Sequence, residues 1–163
     1  MPLEIERKFL VRSDGWRRGV TRTMHIVDHL IARFPNGKAR IRVCNNAATL
    51  TLKGQRKGLA RSEYHVPLET EDAVDMIAEF STGPGIEKHR HEVVVDDLVW
   101  QIDEYTGVLE GLVTSDVELP HENFALVTPD WAGDEITGDP RFGSSRLAEE
   151  IADRGSDGRI GPA

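Results

Sequence analysis

Between Met1 and Glu118 the chain alternates apolar and polar residues over short stretches, at 3–11, 25–34, 37–45, 48–55, 60–69, 86–95, 98–105 and 111–119. A spacing of two is the period of a β-strand, so these stretches predict eight strands. Asn36-Gly37, Asn45-Asn46 and the run from Gly54 to Gly58 separate the second to fifth strands, and such short links imply antiparallel neighbours. Two segments change period. Glu71 to Phe80, after Thr70 as N-cap, places Ala73, Met76, Ile77 and Phe80 on one helical face, and Ser144 to Arg154 reads as a second helix. A short helical turn is expected around Ser13 to Arg18. Residues 155–163, rich in glycine, predict a flexible tail after a single domain over 1–154.

The polar face of these strands is charged in an ordered way. Glu4, Glu6 and Lys8 share a face in the first strand, opposite Leu3, Ile5 and Phe9. Arg40 and Arg42 alternate with Ala39, Ile41 and Val43, and Thr49, Thr51 and Lys53 alternate with Leu50 and Leu52. Arg61, Glu63 and His65 follow in the fifth strand, Lys88 and Arg90 in the sixth, Gln101 and Asp103 in the seventh, Asp116 and Glu118 in the eighth. One such strand would read as a sheet with a wet face. Acidic pairs on some strands and basic pairs on others read instead as an ordered interior.

Eight antiparallel strands close into a barrel with no free edge and an interior about wide enough for a small ligand. The predicted class is therefore α+β, mainly β: an eight-stranded antiparallel closed β-barrel with flanking helices. Buried ions cost several kcal/mol each unless water or counter-ions attend them. A lining of both signs suits a hard cation together with a polyanion. Carboxylates without cysteine select Mg²⁺ or Mn²⁺, and Arg and Lys grip phosphate oxygens.

Composition narrows the partners. Lys plus Arg total 20 against 28 Asp plus Glu, a net charge of −8, which argues against extended nucleic acid or an anionic membrane. The apolar runs are too short for a membrane span, and the start MPLEIERKFLV has no signal-like region, so a cytoplasmic location is expected. The single cysteine, Cys44, excludes an internal disulfide and a cysteine-rich metal site. The loop Lys53-Gly54-Gln55-Arg56-Lys57-Gly58 lacks the spacing of a phosphate-binding P-loop.

Glu4-Ile5-Glu6-Arg7-Lys8 resembles the ExExK pattern of the CYTH family, also called triphosphate tunnel metalloenzymes. Arg40-Ile41-Arg42, Leu50-Thr51-Leu52-Lys53-Gly54, Arg61-Ser62-Glu63, Lys88-His89-Arg90, Trp100-Gln101-Ile102-Asp103 and Val117-Glu118-Leu119 follow in the family's order. The segment from Pro129 to Thr137 is similar to the family's P-x-W-x-G-x-E-[VI]-T stretch. The resemblance implies a charged tunnel, a metal requirement and a linear triphosphate substrate: tripolyphosphate, thiamine triphosphate, ATP or an RNA 5′-triphosphate.

On the combined reading, Glu4, Glu6, Asp116 and Glu118 are metal ligands, with Glu63 and Asp103 completing a second position. Lys8, Arg40, Arg42, Lys53, Arg61, Lys88 and Arg90 hold the phosphate chain, and Lys8 sits beside the attacked phosphorus. The expected reaction is hydrolysis of tripolyphosphate to pyrophosphate and phosphate. Adenylate cyclisation, thiamine triphosphate hydrolysis and binding without turnover are the alternatives. Only Met1, Pro2 and Leu3 precede Glu4, where the cyclase group often has a His-Phe pair. The chain departs from its resemblance at Asp116, where relatives commonly carry Glu, at His65, and at Phe142 to Ser145. It departs also at His29, which stands where relatives carry a tyrosine that works with the ExExK lysine. His29 is therefore a second catalytic candidate, to orient the attacking water. Homodimers are frequent in the family, and no apolar stripe decides for one here.

Overall fold

The computed structural model describes residues 2–160, with side chains as far as Gly155. Among the described residues the strands are β1 (Leu3–Val11), β2 (Val20–Phe34), β3 (Gly37–Cys44), β4 (Ala47–Gly54), β5 (Ala60–Leu68), β6 (Ile86–Val95), β7 (Leu98–Tyr105), β8 (Val113–Glu118) and β9 (Ala132–Glu135). The helices are α1 (Thr70–Phe80) and α2 (Ser144–Ile160). The strands run in the order β5-β4-β3-β2-β6-β7-β8-β1, and β1 returns to β5 through Leu3↔Ser62, Glu4↔Arg61 and Ile5↔Ala60. This is the closed eight-stranded antiparallel barrel that the alternation predicts.

Four details differ from the sequence pattern. β2 starts at Val20, five residues before the predicted position 25, because Val20 to Met24 pair along β6 from Val93 to Arg90. β9 is an unpredicted ninth strand. It pairs with the second half of β1, Phe9↔Glu135 and Val11↔Ala132, where β5 no longer reaches. α1 already includes Thr70, with Glu69 as the flanking residue. The backbone of α2 is helical to Ile160, so the expected flexible tail is helical over its first residues; residues 161–163 lie outside the described ones.

The apolar face of the strands points outward and needs cover. β6, β7, β8 and β1 bury Phe9, Val93, Trp100, Ile102 and Val117 beneath Trp16 of the turn at Gly15–Gly19 and Trp131 of the segment leading into β9. On the opposite side α1 lays Ala73, Met76 and Ile77 over Ile41, Ala48, Leu50 and Leu68. α2 closes one end, where Leu147 packs on Ile86, Tyr105 and Leu109. Burying the first two clusters outside the barrel and the third at its end is what frees the interior for charge. The β3–β4 and β6–β7 turns place Asn45, Asp96 and Asp97 at positive φ (53°, 50° and 64°), a conformation that Asn and Asp accept more readily than other side chains.

Candidate active site

The strand pleat delivers the alternating charges inward as the sequence expects. A cavity of about 260 Å³ lies beneath α2, and its wall includes Lys8, Asp28, Lys38, Arg40, Lys53 and Lys88. A second, of about 270 Å³, contains Glu4, Glu63, Arg42, Arg90, Asp116 and Glu118 in its wall. Glu6, Lys8, Arg40, Lys53 and Lys88 line both, so the two cavities share one wall inside the barrel.

Cross-strand register decides which charges meet. β1 and β8 put Glu6 beside Glu118 and Lys8 beside Asp116, and Lys8 Nζ lies 3.2 Å from Asp116 Oδ1. Lys53 Nζ stands 3.2 Å from Glu4 and 3.6 Å from Glu63, and Arg56 reaches within 3.6 Å of Glu6. Among the described residues no three carboxylates or imidazoles close around one point. Glu4, Glu6, Glu63 and Asp116 each lean instead on a base, whereas Glu118 faces Glu4 and Glu6.

The bases do not satisfy these acids fully. Burial, with the like charges of Asp116 and Glu4, pushes the Glu6 carboxyl up to about 7. Burial, with Glu4 and Glu6, also raises Glu118. Asp116 Oδ1 is buried without a hydrogen bond, its contact with Lys8 being an ion pair only. An all-oxygen donor set that repels itself in this way fits a hard divalent cation held by Glu4, Glu6, Asp116 and Glu118.

The basic wall is unsatisfied in the opposite sense. Arg40 Nε and Arg61 Nε are buried with no acceptor. Burial, then the neighbouring Arg40 and Arg61, lowers the Lys38 ammonium to about 7, and burial brings Lys88 to about 8. Buried donors without acceptors cost free energy that an anion would recover. Lys38 donates to Ser144 Oγ at the start of α2, which ties that helix to the cavity mouth.

Two expected residues are placed differently. Asp103 is on the interior side, but it is fully buried behind the wall and lines neither cavity. Its Oδ1 accepts from Arg90 Nε at 2.7 Å, and its Oδ2 accepts from Lys88 Nζ and Arg90 Nη2, each at 2.8 Å. Although burial alone would raise its carboxyl, Arg90 and Lys88 hold it far below the ordinary range. Asp103 is thus the buried counter-ion of Arg90 and Lys88, set back from both cavities.

His29 is the second correction. It pairs with Ile41 in register and shares the outer face of the barrel with that residue, away from the cavities. A Cβ on Gly85 would lie 2.7 Å from its Cε1, and burial lowers its proton affinity. The β2 interior face is Met24, Ile26 and Asp28, so Asp28, not His29, reaches the cavity.

The structure also adds Lys38, Arg56 and Tyr105 to the cavity wall. Lys38 was readable, since it precedes Arg40 and Arg42 at spacing two. Arg56 comes from a hairpin tip, where no period applies. His65, at the sequence departure in β5, faces the second cavity and pairs with Glu63 at 3.2 Å.

Fold and site together define a closed antiparallel barrel with an ionic interior, acidic carboxylates gathered on one part of the wall and guanidinium and ammonium groups on the rest. The chain belongs to the CYTH domain family, whose model matches residues 2–145. It is 35% identical over 150 residues to an inorganic triphosphatase of Acetivibrio thermocellus, covering 91% of this chain and 95% of that protein. An inorganic triphosphatase of Nitrosomonas europaea is 30% identical over 153 residues, covering 91% and 98%. A crystal structure of an inorganic triphosphatase superposes with a TM-score of 0.65 at 26% identity, covering 91% of this chain and 95% of the other.

Proposed function

We propose that this protein is a metal-dependent inorganic triphosphatase that hydrolyses tripolyphosphate to pyrophosphate and phosphate inside the barrel. The observation that carries the reading is the pairing of opposite deficits in one interior: buried guanidinium N–H groups without acceptors at Arg40 and Arg61, and mutually repelling carboxylates at Glu6 and Glu118. A metal-bound phosphate chain supplies what both lack. The two curated relatives that carry the name inorganic triphosphatase support the same substrate.

Glu4, Glu6, Asp116 and Glu118 would hold Mg²⁺ or Mn²⁺, with Glu63 at the adjoining wall. When bound, the cation polarises phosphoryl oxygens and lowers the pKa of water. Arg40, Arg42, Lys53, Arg61, Lys88 and Arg90 align the chain and offset charge spreading over the oxygens in a loose transition state. Lys8, held between Asp116 and the cavity, hydrogen-bonds an oxygen of the attacked phosphorus. A water oxygen bonds to that phosphorus, the bridging P–O bond breaks, and the water proton passes to the released phosphate. Positioning supplies most of the acceleration, without a phosphoenzyme.

The partner is a small triphosphate rather than extended nucleic acid, and Leu52, Tyr64 and Val66, exposed on β4 and β5, suit a homodimer. Among the described residues no helix is long and apolar enough to cross a membrane, and we place the protein in the cytoplasm. The test is metal-dependent phosphate release from tripolyphosphate beside ATP, thiamine triphosphate and pyrophosphate, with cyclic AMP assayed in the ATP sample. Preferential release from tripolyphosphate is expected. Cyclic AMP as the main product would make the protein a cyclase, and tight binding without release would make it a sensor.

A further inference from the structure

Asp28 is a cavity acid that neither the cation nor the phosphate chain uses. It is 4% exposed and projects from β2 into the cavity beneath α2. Its Oδ1 accepts from Arg42 Nε at 2.8 Å and its Oδ2 from Arg42 Nη2 at 2.9 Å. Arg40 Nη1 lies 3.6 Å and Lys88 Nζ 3.8 Å from the same Oδ2. One carboxylate therefore touches three of the bases assigned to the phosphate chain. Asp103 neutralises bases from behind the wall, whereas Asp28 stands in the wall of the cavity beneath α2 together with Arg40 and Lys88, and Arg42 reaches it from the wall of the adjoining cavity.

We infer that Asp28 is an internal counter-anion that occupies the phosphate position of Arg40, Arg42 and Lys88, weakens the barrel's grip on short phosphate chains and so speeds release of the two-phosphate product. The physical reason is Coulombic. Asp28 already neutralises these cations across less than 4 Å, and a phosphate on the same bases meets it as a like charge. Without Asp28 the bases would hold a pyrophosphate tightly and turnover would stall. Asp28 is a positioning residue: it acts through Arg42 and Arg40.

The inference rests on the triphosphatase reading only in naming pyrophosphate as the product; affinity itself is measured without turnover. In calorimetric titration with pyrophosphate, Asp28→Asn is expected to bind about tenfold or more tightly than the wild type. Asp28→Glu, which keeps the charge, should stay within about threefold of the wild type. With tripolyphosphate and metal, Asp28→Asn should lower KM and kcat together, because product leaves more slowly. Weaker or unchanged pyrophosphate binding in Asp28→Asn, or a raised KM, would overturn the inference and leave Asp28 as an aligner of Arg42. Should Asp28→Asn fail to fold, the Nε resonance of Arg42 in the wild type decides: pyrophosphate must shift it, and an unmoved signal refutes the exchange of partners. Tighter binding in Asp28→Asn without hydrolysis in any variant would uphold Asp28 and sink the triphosphatase reading alone.

Discussion

The barrel interior holds two kinds of carboxylate within one wall. Asp103 and Asp28 each meet an Arg guanidinium through two hydrogen bonds, and their neighbouring bases hold both carboxyls well below the ordinary range despite burial. Glu6 and Glu118 face other acids, and both are pushed up, Glu6 to about 7. Burial alone would raise Asp28 and Asp103 as it does Glu6, so the opposite sign of their shifts comes from the neighbouring bases. An acid saturated by bases is committed to them; an acid left among acids is one whose repulsion a cation would relieve.

Replacing one member of each kind should separate stability from activity. The largest effect is expected for Asp103→Asn, which leaves Lys88 and Arg90 buried without their carboxylate and should cost about 3–5 kcal/mol, read as a large fall in Tm or loss of folding. Glu6→Gln should do the reverse: tripolyphosphate turnover drops about a hundredfold, the equivalent of about 3 kcal/mol, while Tm holds or rises because repulsion with Asp116 and Glu4 is relieved. An equal loss of Tm in both variants would break the distinction.

The pH dependence of the metal-free protein sharpens it. The folded Glu6 carboxyl, at about 7, lies above its ordinary 4.5, so its contribution to stability is present below about pH 4.5 and is lost as pH rises through about 7. Denaturant unfolding of the wild type across that window should show a decline that Glu6→Gln flattens. A smaller effect belongs to the basic wall. Lys38 loses its proton as pH rises through about 7, so KM for tripolyphosphate should rise roughly threefold above that point, a change that Lys38→Gln abolishes.

The alternation of β1, β3, β4, β5, β6 and β8 made the barrel and most of its lining legible, because each places charge on one face and apolar residues on the other. β2 concealed its contribution. Met24 and Ile26 share the interior face with Asp28, so the pattern there is mostly apolar inward, and His29 stood out only through its place opposite the relatives' tyrosine in the resemblance. Asp103 was legible as interior but not as spoken for, since its register with Arg90 is a pairing between strands. β9 escaped because four residues carry no period, and its place depends on the half of β1 that β5 leaves open.

Glu4, Glu6, Asp116 and Glu118 are expected to hold a divalent cation without help from Asp28 or Asp103. Titration of Mn²⁺ followed by electron paramagnetic resonance tests it directly on the wild type, Glu6→Gln, Asp116→Asn and Asp28→Asn. Saturable binding is expected in the wild type and Asp28→Asn, and its loss or severe weakening in Glu6→Gln and Asp116→Asn. Binding that survives both of those substitutions, or that disappears with Asp28→Asn in a folded protein, would contradict it.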